Sequence, residues 1–394
     1  MNQKGNLKTI VFCTQVYFLD AAIEYIQLLT LKGYKTHVLI ELSPNQLKAN
    51  ILNIDVDLTQ YPALTSFNLI VKDWKLENLA PYFKKCVSVN FVVYPTKKIW
   101  QTKRVSNLME KHISKIKPDF IHLDDFSSRT VFSLPYYFFN REKLIANIHD
   151  PLTHSGEFQW SREVYRKIWF NLVGKFVVFS EYSKKILEPQ LRKSKKIYVL
   201  SLMPYTIYKS FLQNNKMVIR DYISFVGRIS PYKGVELFVG TFKGLKRNFP
   251  NIKFYIGGKT INGYEPYFLN LDDKNVVVEN KFLSNLEIAE IINKSKIVIC
   301  PYIDATQSGV VMTAYGLGCP VLVTNTGGLP EYVIHNSTGV ISVEATEDCI
   351  ESTLNEYLQQ NKEERLLENV KQLQYSNRFE KMNKIKMDEL YNCN

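Results

Sequence analysis

The chain has 394 residues, about twice a typical single domain, and its 45% hydrophobic and 13% aromatic content fills two cores and excludes a disordered chain. Its formal charge of +12 lies wholly in the first half: residues 1–205 hold 29 Lys and Arg against 17 Asp and Glu, while residues 206–394 hold 21 of each. Six dispersed cysteines offer neither zinc spacing nor a disulfide framework, and no stretch is apolar for long enough to span a bilayer.

The polar start Met1–Lys8 lacks a signal-peptide pattern, so a cytoplasmic chain is expected, either soluble or peripheral on the inner face of the plasma membrane. The positive excess fits an anionic neighbour, such as a membrane leaflet, a lipid pyrophosphate or nucleic acid. It also fits a solvated lysine-rich surface. No nucleic-acid motif or aromatic-basic platform accompanies it, and a nucleic-acid partner is not expected.

In chain order, strand-sized apolar runs at Thr9–Cys13, Thr36–Ile40, Val87–Val93, Phe120–Leu123, Leu144–Ile148 and Phe176–Phe179 alternate with helical spacing, clearest at Asp20–Leu31 and Lys103–Ile116. The alternation falters over Ser201–Asn215, where an interdomain linker is expected. It resumes with strands Tyr222–Val226, Lys253–Ile256, Ile297–Cys300 and Val321–Val323 and helices Gly234–Arg247, Glu287–Asn293 and Gly309–Leu317. Long helices are expected over Thr346–Leu373 and Arg378–Tyr391. The fold class is α/β, with two Rossmann-like doubly wound domains, whose ligands bind beyond the carboxyl ends of the strands.

Three strand ends carry the chemistry. The first, Phe225-Val226-Gly227-Arg228-Ile229-Ser230-Pro231-Tyr232-Lys233-Gly234, joins a glycine that admits close backbone approach to a guanidinium fork and an ammonium suited to a diphosphate. Alone, one Arg and one Lys near a turn are ordinary solvated surface. The second, Pro301 to Ala314, passes from a buried strand through Asp304 and Gln307 into a helix start at Ser308-Gly309, where backbone N–H groups form an anion site or are simply capped. The third, Cys319 to Glu331, ends a strand in Gly327-Gly328 and is by itself a plain turn.

Together, their order and spacing over Tyr222–Val333 resemble the C-terminal domain of the retaining family-4 glycosyltransferases of GT-B fold. The resemblance implies two domains facing across a cleft: an acceptor-side domain over 1–205, a donor-binding domain over 206–375, and a helix over 376–394 returning to the N-terminal domain. It implies that Arg228 and Lys233 hold the donor diphosphate, that Gly227 closes the strand beneath it, and that the amides of Ser308 and Gly309 cap the distal phosphate. It also implies that Asp304 and Gln307 touch the sugar and that Gly257 and Gly258 flank the base. This sequence departs from the family pattern where two glutamates eight positions apart would stand: Ala305 and Thr313 occupy those places, leaving Thr313 one hydroxyl for the ribose.

In the first half, His149-Asp150-Pro151-Leu152-Thr153-His154 follows a strand end, in a chain with six histidines. Zinc ligands and structural loop residues are both open from the residues themselves. The resemblance implies that His149 faces the donor sugar, with Asp150 and His154 supporting on the acceptor side. Gln15 and Tyr17 stand where relatives carry a glycine-rich loop near the acceptor. Asp55, Asp57, Asp124 and Asp125 invite a metal reading, but the basic groups serve the diphosphate, and neither a metal nor another cofactor is expected.

The expectation is therefore a glycosyltransferase that moves a sugar from a nucleotide-diphosphate sugar to a hydroxyl acceptor with retention, in bacterial cell-surface polysaccharide or glycolipid biosynthesis. Its acceptor would be a saccharide or lipid-linked saccharide. Lys97, Lys98, Lys103 and Arg104 are candidates for contact with an anionic membrane surface. The alternative is a catalytically silent GT-B protein acting as partner of another glycosyltransferase.

Overall fold

The computed structural model describes residues 8–152, 160–212, 218–270, 273–360, 362–375 and 378–392. In the N-terminal lobe, β1 (Thr9–Gln15), β2 (Lys35–Leu42), β3 (Leu64–Ser66), β4 (Ser88–Val93), β5 (Phe120–Asp124), β6 (Leu144–Asn147), β7 (Lys175–Val178) and β8 (Lys196–Val199) form one sheet. Its order is β3-β4-β2-β1-β5-β6-β7-β8, parallel except where β3 meets β4. In the C-terminal lobe, β9 (Tyr222–Val226), β10 (Lys253–Gly257), β11 (Val276–Glu279), β12 (Ser295–Cys300), β13 (Val321–Thr324) and β14 (Gly339–Ser342) form a parallel sheet of order β11-β10-β9-β12-β13-β14. Chain order reverses beside β1 in one sheet and between β9 and β12 in the other, and those switch points open the crevices where ligands bind.

Around the first sheet lie α1 (Leu19–Leu31), α2 (Phe67–Ile70), α3 (Ala80–Phe83), α4 (Ile99–Ile116), α5 (Leu134–Phe139), α6 (Trp160–Leu172) and α7 (Glu181–Leu187). Around the second lie α8 (Val235–Gly240), α9 (Phe242–Asn248), α10 (Asn285–Asn293), α11 (Gly309–Gly316), α12 (Glu347–Gln359) and α13 (Glu363–Tyr375), and α14 (Arg378–Asn392) ends the chain. The helical spacing of α4 turns Val105, Met109 and Ile113 onto a core shared with Tyr137 and Trp169 on one face of the sheet. A second core begins on the opposite face, under Ile23 and Ile26 of α1, and runs through the connector into the C-terminal lobe.

The connector is tied to both lobes at one point, Tyr205-Thr206. Glu24 of α1, buried, accepts from the backbone N–H and hydroxyl of Thr206, both at 2.7 Å. Tyr205 donates its N–H to the Met312 carbonyl at 3.0 Å, beside Gly316, where a Cβ would stand 2.1 Å from the Tyr205 oxygen. The helix α14 packs on the N-terminal lobe: Lys32 meets Asp388 at 2.5 Å, Asn383 pairs with both backbone groups of Ser201, and the buried Tyr391 hydroxyl lies among Tyr25 and His122.

The single helix expected over Gly234–Arg247 is instead a 3-10 turn at Pro231–Lys233 followed by α8 and α9. Thr241 ends α8 by donating its hydroxyl to the Phe238 carbonyl, and Gly240 and Gly244 leave room for Glu347 and Glu351 of α12. The expected helix Thr346–Leu373 is likewise two, α12 and α13, with the Lys362 ammonium on Glu356 and Asn336 between them. The strands β3, β8, β11 and β14 had no counterpart in the apolar pattern; all are three or four residues long and lie at or beside sheet edges.

Candidate active site between the lobes

On the C-terminal wall, β9 ends in Gly227 (φ +132) and β10 runs into Gly258 (φ +151). A Cβ on Gly258 would lie 1.8 Å from the Gly227 carbonyl oxygen, so only glycine lets the two strand ends touch. Gly234, left-handed at φ +61 between the Pro231–Lys233 turn and α8, packs against the Pro301 carbonyl, whose oxygen lies 2.0 Å from where a Cβ would stand. The turn delivers the Lys233 ammonium 3.1 Å from the Tyr302 hydroxyl and 4.6 Å above the Tyr302 ring. The same ammonium lies 3.7 Å from where a Gly227 Cβ would be, and Val310, in the first turn of α11, lies 3.4 Å from it.

Ser308 caps α11, its Oγ accepting from Val311 N–H at 3.4 Å and donating to the Tyr302 hydroxyl at 3.4 Å. One ammonium, one glycine and one helix start thus share a corner of the cleft, the arrangement that binds phosphate. Arg228 reaches this corner through Tyr232, whose ring lies 6.4 Å from that of Tyr302. It is exposed, and its Nη2 donates to the Tyr232 hydroxyl at 3.2 Å. Thr313 is buried and donates its hydroxyl to the Gly309 carbonyl at 2.9 Å. Asp304 is half-buried on the loop between β12 and α11.

On the N-terminal wall, the ends of β1, β5 and β6 bring Thr14, Asp124, Asn147 and His149 into one buried network. Asp124 Oδ2 accepts from Thr14 at 2.7 Å, and Oδ1 accepts from Asn147 Nδ2 at 2.7 Å and meets His149 Nε2 at 2.8 Å. Asn147 Oδ1 must then accept from His122 Nε2–H at 2.7 Å, so His122 Nδ1 accepts from Tyr391. Burial pushes the His122 imidazole down to about 4, in keeping with that neutral tautomer.

Burial alone would raise the Asp124 carboxyl, but the charge and hydrogen bond of His149, with those of Thr14 and Asn147, hold it below its ordinary value. Burial opposes the His149 cation in turn, and Asp124, helped by Asp125 and Asp150, overcomes it and raises the imidazole. Phe18 stacks on the ring at 3.9 Å and fixes its plane. With Nε2 committed to Asp124, Nδ1 faces the other lobe, 3.4 Å from the Gln307 side-chain nitrogen. Gln307 Oε1 is buried without a partner; exchanging the two amide atoms lets it accept from an imidazolium Nδ1–H.

The lobes are also joined directly. Thr306 donates its hydroxyl to Asp150 Oδ1 at 2.6 Å, and the Tyr332 hydroxyl donates to the Phe179 carbonyl. Glu331, in the Gly-Gly turn after β13, accepts the N–H groups of Glu181 and Tyr182 at 2.7 and 2.8 Å, capping α7 from the opposite lobe. Beside this junction a cavity of about 530 Å³ opens in the N-terminal lobe, where Gln15, Tyr17 and Asp150 line it with Phe18 and Arg166.

Sequence reasoning passed over Asp124, except as a metal ligand, and missed Thr14, Asn147, Tyr302 and the reach of Glu331. Their position at the carboxyl ends of β1, β5, β6 and β12, and after β13, was the available signal. His154 lies outside the described residues. Asp57 caps its own turn through Thr59, and among the described residues no three His, Cys, Asp or Glu side chains converge as a metal set.

Residues 209–373 match the family model described as glycosyl transferases group 1. That stretch spans the phosphate corner, α11 and Glu331. The whole chain is similar in structure to HepE of Anabaena in complex with UDP-glucose, at TM-score 0.64 and 14% identity, over 98% of this chain and 100% of that one. It is similar to sucrose-phosphate synthase of Thermosynechococcus elongatus, at 0.63 and 14%, over 98% of each chain. It is also similar to the catalytic domain of starch synthase IV of Arabidopsis thaliana bound to ADP and acarbose, at 0.64 and 13%, over 98% and 99%. A sequence comparison with curated proteins gave no match. The fold is that of the GT-B glycosyltransferases, and with the matched domain it supports a nucleotide-sugar glycosyltransferase.

Proposed function

We propose that the protein transfers a sugar from a nucleotide-diphosphate sugar to a hydroxyl of a saccharide or lipid-linked saccharide, with retention at the anomeric carbon and without a metal. The setting that fits is bacterial cell-surface polysaccharide or glycolipid biosynthesis. The observation that carries the reading is the meeting of the Lys233 ammonium, Gly227 and the capped start of α11 in one corner of the cleft. In the reaction the bond from anomeric carbon to phosphate oxygen breaks, and its electron pair leaves with the diphosphate. The acceptor oxygen bonds to the carbon and passes its proton to the departing diphosphate.

Lys233 and the α11 amides stabilise the departing charge, and this is the main catalytic effect. His149, oriented by Asp124, and Gln307 meet where the lobes face each other, and the donor sugar contacts them there. The acceptor takes the cavity lined by Gln15, Tyr17 and Asp150, the volume of which suits one or two sugar rings. The neighbours in complex with UDP, UDP-glucose or ADP support a nucleotide-linked donor.

A thermal-shift screen of UDP, GDP, ADP and their sugar conjugates tests the reading. One nucleotide family should raise the melting temperature of the native protein and leave Lys233→Ala unmoved. No stabilisation by any nucleotide overturns it. Nucleotide stabilisation with neither transfer nor donor hydrolysis would favour the silent-partner alternative.

A further inference from the structure

We propose that the outer layer of the N-terminal lobe, built on α4 and α5, is a docking face for an anionic lipid bilayer. With Val105, Met109 and Ile113 turned inward, α4 leaves Lys103, Arg104, Lys111 and Lys115 exposed. Its one acid, Glu110, is half-buried, with Oε1 fully withdrawn from water. An ordinary solvated helix interleaves acids with its lysines; on α4 the exposed charges are all cationic, and Glu142, beside Arg141, is an exposed acid at the far end of the layer.

Large apolar side chains stand at both ends of the basic stripe. Ile99 and Trp100 in the first turn, directly after Lys97 and Lys98, are 72% and 61% exposed. At the other end, the exposed Ser114 hydroxyl reaches Tyr136 of α5 at 3.4 Å, and α5 presents Phe138 and Phe139 at 53% and 82% exposure. Arg141 lies over the Phe138 ring at 5.1 Å. From Trp100 to Ser114 the helix rises roughly 21 Å, so two apolar anchors bracket the cations.

Charge complementarity selects an anionic surface, and the anchors select one with an apolar interior. Nucleic acid or an acidic protein would use the cations and leave Trp100 and Phe139 in water. Indole and phenyl rings beside Lys and Arg are the chemistry of the headgroup boundary, where apolar insertion and electrostatic attraction each supply part of the binding. No described helix is long and apolar enough to cross a membrane, so contact at the surface is the form available to these residues. The 3-10 turn Ser128–Ser133 packs on α4, and its half-exposed Val131 lines the acceptor-side cavity. On the transfer reading above, a lipid-held acceptor would enter the cavity from this side.

The test is co-sedimentation of the full chain with vesicles of phosphatidylcholine, alone or mixed with phosphatidylglycerol. Binding should require phosphatidylglycerol and blue-shift the emission of Trp100. Reversing Lys97, Lys98, Lys103 and Arg104 to Glu should lower partitioning at least about tenfold. Ile99→Ser with Trp100→Ser, Phe138→Ser and Phe139→Ser should lower it by a similar factor with the charge unchanged. Equal binding to neutral vesicles, or full binding by either variant, overturns the proposal. Wild-type affinity of the apolar variant for heparin or DNA, with no vesicle binding by the native chain, would mean that the face serves a polyanion instead. Circular dichroism and the nucleotide-dependent thermal shift confirm folding of each variant and separate failure here from failure of the transfer reading.

Discussion

His149 Nε2 lies 2.8 Å from Asp124 Oδ1, both side chains buried, and this pair decides which nitrogen of the imidazole meets the cleft. His149 titrates above its ordinary value, so its cation persists to higher pH than an ordinary imidazolium and is lost as pH rises through the raised value. In Asp124→Asn burial is left to dominate, and burial lowers an imidazole. The alkaline limb of kcat/KM against pH should therefore move to lower pH, with turnover near neutrality down about a hundredfold. An unmoved alkaline limb would remove Asp124 as a positioning residue.

Lys233 and Arg228 share a loop and both meet Tyr232, but they differ in exposure to water. The ammonium of Lys233 is half-buried against Tyr302 and Gly227, whereas Arg228 lies exposed beside Tyr232. Charges shielded from water act more strongly on a developing anion than charges screened by it. Lys233→Ala should cost about a hundredfold in kcat, and Arg228→Ala clearly less, in steady-state assays with the donor that the thermal screen identifies. The reverse ranking would make Arg228 the principal diphosphate contact.

Most of the architecture was legible because parallel sheets are buried on both faces, and runs such as Ile297–Cys300 and Val321–Val323 carry no polar interruption. The meeting of Gly227, Lys233 and the start of α11 left a local pattern too, glycines with a strand before and a helix after. Partnerships between distant segments were not. Nothing local ties Asp124 to His149, 25 positions on, or Glu331 to Glu181 in the other lobe. The helix break at Thr241 follows Gly240 and is shaped by contact with α12, and the one before Lys362 lies where its ammonium meets Asn336, neither being marked by proline.

Glu331 caps a helix that belongs to the opposite lobe, so its loss should be felt as opening as well as destabilisation. Glu331→Ala removes two hydrogen bonds and a charge from the start of α7, a loss of about 1–2 kcal/mol. Small-angle scattering should show a larger radius of gyration than the native protein gives, while Glu331→Gln, which keeps one acceptor, should lie between. Identical scattering from all three would mean that the lobes are held by the other contacts alone.

Glu24 couples the connector to α1 and does so from a buried position. Burial pushes its carboxyl up to about 7, against the hydrogen bonds from Thr206. A carboxyl raised on folding adds stability below its unfolded value, near 4.5, and loses that contribution as pH climbs to about 7. Glu24→Gln keeps an oxygen facing Thr206 and removes the titration. Its melting temperature should be flatter than the native one between about pH 5 and 8, the two curves diverging toward the alkaline end. Parallel curves would mean that Glu24 does not titrate in this window.

Gly258 and Gly263 both have positive φ, +151 and +81, yet they should respond differently to a methyl group. A Cβ on Gly263 meets nothing within 4 Å, so Gly263→Ala carries only backbone strain, roughly 1–2 kcal/mol. A Cβ on Gly258 falls 1.8 Å from the Gly227 oxygen and 2.7 Å from its carbonyl carbon, and neither backbone atom can rotate away. Gly258→Ala must push apart the loops after β9 and β10, costing about 3 kcal/mol or more and displacing the turn that carries Lys233. Urea denaturation and nucleotide titration should therefore find Gly258→Ala impaired in both stability and binding, and Gly263→Ala in stability alone. Equal behaviour of the two variants would show that the contact between the strand ends is not what shapes the phosphate corner.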